Sequence, residues 1–405
     1  MNLSIVQDDG TVRQHKITPK AFQKANLYRQ VGYIGTQSKE QNALNILEAY
    51  FSDAKAILLD ETNKGIVQEL SKLKVNRFGT ASKESNIFQL QEFSLLYFTS
   101  GSTGSPVGAL KSKRHIGAEI KALRKLLLPY RIKKVLVTVP FVHLYGTLLG
   151  LMYPLFMGIE IVLKEHFLPH DLLEMVEEGT MVVTTPLYIK ALNKLGEHKD
   201  LSKAVFISST APLDKENIQA FNQKFQSDIL QIFGSTETGG IAYKINNAKL
   251  WKPFEGVKIS SNHANELKVS SPFVSETLYE KGFKETQGEL QTFDYIEEEA
   301  GGFRLLGRSS KIFKLAGKRY STIQIENILE SIEGISKALV FVGLSKEALR
   351  GEYLEITIES NREFTNKEIK SLLRRHLSNL KFSIHLKRVQ EIPLTMVGKK
   401  LRIEA

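Results

Sequence analysis

Four short apolar runs constrain this chain more than anything else in it. They are Lys134-Val-Leu-Val-Thr-Val139, Met181-Val-Val-Thr-Thr185, Ala204-Val-Phe-Ile-Ser208 and Ile229-Leu-Gln-Ile-Phe233. Each has the length and β-branched content of a buried strand. Pro140 and Pro186 close the first two, because proline holds the preceding residue extended and cannot donate to a ladder. Helical apolar spacing at 42–51 and 119–128, and a further apolar run at 56–60, continue the alternation. Strands alternating with helices predict an α/β sheet with crossover connections. Ligands of such sheets sit beyond the carboxyl ends of the strands. The chemically informative residues follow those ends: Gly101, His143, Ser209 and Gly234.

From about Trp251 the texture changes to short strands, at 266–269 and 289–293, separated by turns. A helix at 323–332, strands at 338–342 and 353–358, and a helix at 366–377 then read as a small α+β domain. The predicted fold class is α/β. A large N-terminal domain, 1–308, holds α/β subdomains and a small β-rich subdomain; a C-terminal α+β domain, 309–405, follows. The chain of 405 residues is long enough for such a division.

Composition narrows the chemistry. The chain has no cysteine, which excludes disulfides, thiolate metal sites and cysteine nucleophiles. The formal charge of +11 suits anionic partners without choosing among them. Basic residues are scattered rather than interleaved with aromatics, so nucleic acid is not an expected partner. The N-terminus lacks the basic start and apolar core of a signal peptide. The most membrane-like run, 147–163, is interrupted by Gly150, Pro154, Gly158 and Glu160 and reads as a buried helix followed by a strand. A cytoplasmic protein without an integral membrane segment is the expectation. No Gly-x-Ser-x-Gly elbow occurs. His166 and His170 are four apart, but Pro169 breaks the helix that a zinc pair would need.

The stretch Tyr97-Phe-Thr-Ser-Gly-Ser-Thr-Gly-Ser-Pro-Val-Gly108 is dense in small residues, hydroxyls and backbone N–H groups. Such a loop can wrap phosphate oxygens. It lacks the Gly-Lys-Ser/Thr of a P-loop and the glycine spacing of a dinucleotide fingerprint. Further segments follow in order: Phe233-Gly-Ser-Thr-Glu-Thr-Gly-Gly240, Thr292-Phe-Asp294, Gly307-Arg308, Lys311-Ile-Phe-Lys-Leu-Ala-Gly317 leading into Ile325-Glu326, and Pro393-Leu-Thr-Met-Val-Gly-Lys399.

In this order and spacing the chain resembles the adenylate-forming enzymes, the superfamily of acyl-CoA synthetases, peptide-synthetase adenylation domains and luciferases. The resemblance runs from about Phe93 to the C-terminus. It departs from the family at Val107, where lysine is usual although Lys111 and Lys113 are close by. It departs also at Phe98, an insertion, and at Phe293, which replaces a glycine. The region ahead of the phosphate loop is shorter than in typical members.

The resemblance implies ATP, Mg²⁺ and coenzyme A or phosphopantetheine as cofactors, and a division of labour among named residues. Thr99, Ser100, Gly101, Ser102, Thr103 and Gly104 would hold the β- and γ-phosphates. Glu237 would bind the metal ion, for which a carboxylate oxygen is apt. Thr236 would donate to the α-phosphate. Phe233 would stack on adenine, with Gly234 and Ala211 in the same nucleotide site. Asp294 would accept the ribose hydroxyls, with Arg308 nearby. Lys399 would bridge the α-phosphate and the substrate carboxylate as charge shifts between them. The small domain of the family is mobile and swings about a hinge, here Ser310, bringing Lys314 and Gly317 to a tunnel for the thiol.

The residues also bear on the substrate. Amino-acid-activating relatives place an aspartate just after the strand near Pro140, whereas Pro140-Phe-Val-His-Leu-Tyr-Gly146 contains no acid. A small-molecule carboxylic acid without an α-amino group, fatty or aryl, is the expected substrate, with His143 beside its carboxylate. Thr184, Thr185, Tyr188, Ser208 and Ser209 are candidates for the acyl pocket. An acidic acyl carrier protein is an alternative acceptor, and a silent nucleotide-binding homologue is the more distant reading.

Overall fold

The computed structural model describes all residues except 36–37, 81–85, 100–105, 264, 309–311, 316–317, 345–351, 377–382, 395–399 and 401–405. They form two compact units: Met1–Ser260 with Lys268–Gln291, and Ser261–Leu267 with Thr292–Ala405. The division at Gln291 lies upstream of position 308. The strand Glu289–Glu299 runs across it and pairs antiparallel with Gly302–Arg308 from Asp294 onward.

The first unit is built on a nine-stranded sheet. Its strand order is Lys252–Pro253, Gly239–Ile245, Asp228–Ser235, Val205–Ser208, Thr180–Thr184, Lys134–Val137, Glu160–Leu163, Asn2–Val6 and Val12–Lys16. The six strands from Asp228–Ser235 to Asn2–Val6 are parallel. Antiparallel strands finish both edges. The strands are apolar on both faces because helices cover both. Leu136, Val162, Val182 and Phe206 pack with Leu172, Ile189, Phe221 and Phe225 in one cluster. Val135, Met181, Val205 and Ile207, on alternate positions, are equally buried.

Chain order reverses at Lys134–Val137. The next strand, Glu160–Leu163, adds on one side, and Thr180–Thr184 adds on the other. In α/β sheets the carboxyl ends of the strands at such a reversal are where ligands bind. The run at 147–163 folds as a buried helical segment, ended by Gly158 in the left-handed region (φ +71°), followed by the strand Glu160–Leu163. Among the described residues no helix is long and apolar enough to cross a membrane.

A six-stranded sheet completes the unit, in the order Phe283–Glu285, Thr277–Tyr279, Val107–Lys111, Leu95–Thr99, Lys55–Leu58 and Val31–Ile34. Leu95–Thr99 leads into the hydroxyl-rich loop, and Val107–Lys111 returns from it antiparallel, with Thr99 opposite Val107. The second unit carries a three-stranded sheet, Ile335–Leu344, Glu352–Ser360 and Ser383–Val389. The helices Thr322–Glu330 and Asn366–His376 pack on it through Ile325, Leu329, Ile369 and Leu373.

Candidate active site

The carboxyl ends of the parallel strands are tied to one another by side chains. Thr138 Oγ1 lies 3.0 Å from Thr184 Oγ1. The Tyr145 hydroxyl lies 2.9 Å from the Thr184 carbonyl and 2.8 Å from that of Ile207. The Ser209 hydroxyl donates to the Ile232 carbonyl at 2.9 Å. Thr184, Thr185 and Ser208 are buried in this layer, and Ser208 Oγ has no hydrogen-bond partner among the described residues. Tyr188 turns toward the apolar cluster and its hydroxyl donates to the Phe167 carbonyl at 3.1 Å.

His143 stands just past the strand Lys134–Val137, half-buried, at the head of a short helical turn. Its backbone is fixed there: the Thr147 hydroxyl donates to the carbonyls of Phe141 and His143. Thr210, next to Ala211, holds φ at +80°. A β-branched residue in that region is strained, and such strain collects around ligand sites.

The hairpin after Asp228–Ser235 carries the next group. Ser235 and Thr238 bond each other reciprocally, N–H to hydroxyl, at 3.1 and 3.2 Å. This closes a tight turn that projects Thr236 and Glu237. The Thr99 hydroxyl donates to Glu237 Oε1 at 3.4 Å. Residues 138 positions apart therefore meet: the last residue before the hydroxyl-rich loop and the carboxylate expected to hold a metal ion. Gly234 is required by the hairpin, since a Cβ there would lie 2.3 Å from the Gly239 carbonyl oxygen. The Phe233 ring packs against Trp251 at 5.6 Å between centroids, and Lys244 Nζ sits 4.8 Å from the Trp251 ring.

Two buried charges lie beneath this turn: Lys111, which the sequence marked only as a lysine near Val107, and Glu119, which it did not mark. Lys111 ends the strand Val107–Lys111 and is 1% exposed. It donates to the carbonyls of Glu237 at 3.1 Å and Phe273 at 2.6 Å. Glu119, on the helix Lys113–Leu127, accepts the Gly240 N–H at 2.6 Å. Burial pushes the Lys111 ammonium down to about 8, opposed by the charges of Glu119 and Glu237. Burial raises Glu119, opposed by Lys111 and the Gly240 N–H. Lys113 instead pairs with Asp53 at the surface.

In the second unit, Asp294 is buried in Glu289–Glu299 opposite Arg308, and its N–H donates to Thr292 Oγ1 at 3.1 Å. Phe293, on the alternate face, is 49% exposed. Lys314 lies in the two-stranded ribbon, opposite Arg319. Leu394 and Lys400 pair across residues 395–399, and Lys400 Nζ reaches the Ala338 carbonyl at 2.7 Å and Glu330 at 2.5 Å. Ser100, Gly101, Ser102, Thr103, Gly104, Ser310, Gly317 and Lys399 lie outside the described residues.

Among the described residues no cluster of three or more His, Asp or Glu side chains makes a ready-built metal cage. One carboxylate beside a hydroxyl is the kind of partial, all-oxygen donor set that Mg²⁺ uses when phosphates supply the remainder.

A model of the AMP-binding enzyme family matches residues 29–269, more than half of the chain. A protein of Humulus lupulus named a probable CoA ligase is 26% identical over 346 residues, which is 77% of this chain and 63% of that protein. A long-chain-fatty-acid–CoA ligase of Bacillus subtilis is 25% identical over 346 residues, 77% of this chain and 61% of that protein. The chain thus spans less than two thirds of the length of these relatives. Among solved structures, o-succinylbenzoate CoA synthetase of Bacillus subtilis in complex with its acyl-adenylate intermediate superposes with a TM-score of 0.80 at 16% identity, covering 98% of this chain and 94% of that one. ATP-bound MatB from Rhodopseudomonas palustris gives 0.76 at 16% identity, covering 98% and 93%. At these identities the likeness establishes the fold.

Proposed function

This chain belongs to the AMP-binding enzyme family, and we propose that it activates a carboxylic acid with ATP and passes the acyl group to a pantetheine thiol, that of coenzyme A. In the first half-reaction a carboxylate oxygen attacks the α-phosphorus and the bond to pyrophosphate breaks. In the second, the thiolate sulfur attacks the acyl carbon and AMP leaves with the electron pair of the C–O bond. Two anions must approach in the first step, so charge neutralisation governs its rate.

The observation that carries this reading is the meeting of Thr99 and Glu237 at the carboxyl ends of two sheets. Glu237 and the Thr99 hydroxyl would hold Mg²⁺, whose bound charge offsets that of the phosphates. Thr236, in the same turn, would donate to the α-phosphate. Phe233, backed by Trp251, offers a π-face for adenine. Asp294 would take the ribose hydroxyls and Lys399 the charge shared by phosphate and carboxylate. His143, with Phe141, Val142 and Leu144 buried around it and no acid in residues 140–146, favours an acid without an α-amino group.

Acid-dependent exchange of labelled pyrophosphate into ATP is the test, run against fatty, aryl and short-chain acids and then with coenzyme A or a carrier protein as acceptor. Exchange that depends on the acid is expected. Lys399→Ala should lower it at least about a hundredfold while thioester formation from preformed acyl-AMP persists. Tight ATP binding with no exchange under any acid would overturn the proposal in favour of a silent nucleotide-binding protein.

A further inference from the structure

We propose that two buried charges, Lys111 and Glu119, position the Glu237 turn for metal-assisted nucleotide binding, Lys111 from beneath Glu237 and Glu119 from beyond Gly240. This rests on the reading of Glu237 given above and adds two positioning residues to it.

The turn is held at both flanks. The Glu237 carbonyl accepts two donors, the Ser275 N–H at 2.9 Å and Lys111 Nζ at 3.1 Å. The Gly240 N–H is bound by Glu119 Oε1 at 2.6 Å. Gly239 admits the carboxylate: a Cβ there would stand 2.7 Å from Glu119 Oε2. Neither charge reaches solvent, with Lys111 1% and Glu119 6% exposed. Two aliphatic side chains would fill the same space without the desolvation penalty of two buried charges. What they would not do is bond to the backbone on either side of one carboxylate-bearing turn. The residue that would touch the metal ion thus has its own peptide carbonyl anchored from below, which limits how far its side chain can drift. Groups that orient a metal-binding carboxylate without touching the ion are typically worth about 10–100-fold in affinity or rate.

The test compares wild type with Lys111→Met, Glu119→Gln, the double variant and Glu119→Asp. The first readout is unfolding midpoint. The second, independent of turnover, is the ratio of ATP Kd in EDTA to ATP Kd in Mg²⁺, by calorimetry. Each single neutralisation strands a buried charge and lowers the midpoint. The double variant leaves no stranded charge and regains most of it, yet Mg²⁺ should tighten ATP binding about tenfold less than in wild type, with metal-free ATP affinity kept. Glu119→Asp preserves the charge balance but draws back from Gly240, and should show the same loss should the double variant fold poorly. A folded double variant or Glu119→Asp protein with the full Mg²⁺ effect overturns the inference, as does wild-type ATP affinity indifferent to Mg²⁺. A wild type that binds Mg²⁺–ATP tightly but exchanges no pyrophosphate overturns the catalytic reading alone and leaves this one to be decided by the binding ratio.

Discussion

His115 shows how a single side chain couples the site's surroundings to pH. The Ser112 N–H donates to its Nδ1 at 3.0 Å, so that lone pair is in use and the ring proton sits on Nε2. Nε2 is buried without a hydrogen-bond partner among the described residues, 3.9 Å from Glu276. Burial, with the cations Lys111 and Arg114 acting in the same direction and Glu276 against it, pushes His115 down from 6.5 to about 4. Between those values the unfolded chain binds a proton that the folded chain refuses, so stability present above 6.5 is lost as pH falls toward about 4. Across the whole window from 6.5 to about 4 the contribution is at most about 3 kcal/mol. His115→Gln should flatten the fall in urea midpoint between about pH 7 and about pH 4.5, and an unchanged slope would sink this account. The same neighbourhood marks the limit of what residues alone disclose. Thr99 and Glu237 could be proposed from sequence because each belongs to a short ordered motif. Lys111 and Glu119 could not, because their roles arise from contacts with residues more than a hundred positions away. One signal was available: a lysine ending the otherwise apolar strand Val107–Lys111.

At the scale of elements, the hairpin of Asp228–Ser235 with Gly239–Ile245 sets the geometry of three candidate residues at once. Phe233, Thr236 and Glu237 sit on or beside its turn. Gly234→Ala would force a Cβ against the Gly239 carbonyl, and the strands must part locally to relieve it. A loss of about 1–3 kcal/mol in denaturant unfolding is expected, typical of overpacking. Trp251 is the chain's only tryptophan and packs at a tilt against Phe233, so its emission reports on this hairpin directly. ATP should change the emission of wild type and leave that of Gly234→Ala nearly unaffected; equal responses would refute the link between hairpin and nucleotide. The central strands could be placed from sequence because they are apolar on both faces and two are closed by Pro140 and Pro186. The edge hairpin of Asn2–Val6 and Val12–Lys16 could not, since an edge strand such as Val-Arg-Gln-His-Lys is mostly polar. The helix predicted from 119 begins at Lys113, because its first turn is basic and is fixed by a Ser112–His115 capping box rather than by apolar periodicity.

For the whole molecule, the consequence lies in the two cores. The second unit closes its own cluster around Ile325, Leu329, Leu354, Ile356, Ile369 and Leu373, and the first unit closes another beneath its parallel sheet. A unit with its own core can unfold on its own terms, so a single unfolding free energy does not describe the chain. Ile356 is fully buried at the centre of the three-stranded sheet. Ile356→Ala should therefore destabilise the second unit by about 2–5 kcal/mol. Calorimetry should show two transitions, of which one moves and the other stays. The functional reading sharpens this test, because Phe233, Glu237 and Thr99 belong to the first unit while Asp294 and Lys399 belong to the second. At a temperature between the two transitions, the Ile356→Ala protein should retain ATP-induced change in Trp251 emission and lose pyrophosphate exchange. Loss of both together, in one transition, would mean that the two cores fold as one and that nucleotide recognition is not a property of the first unit.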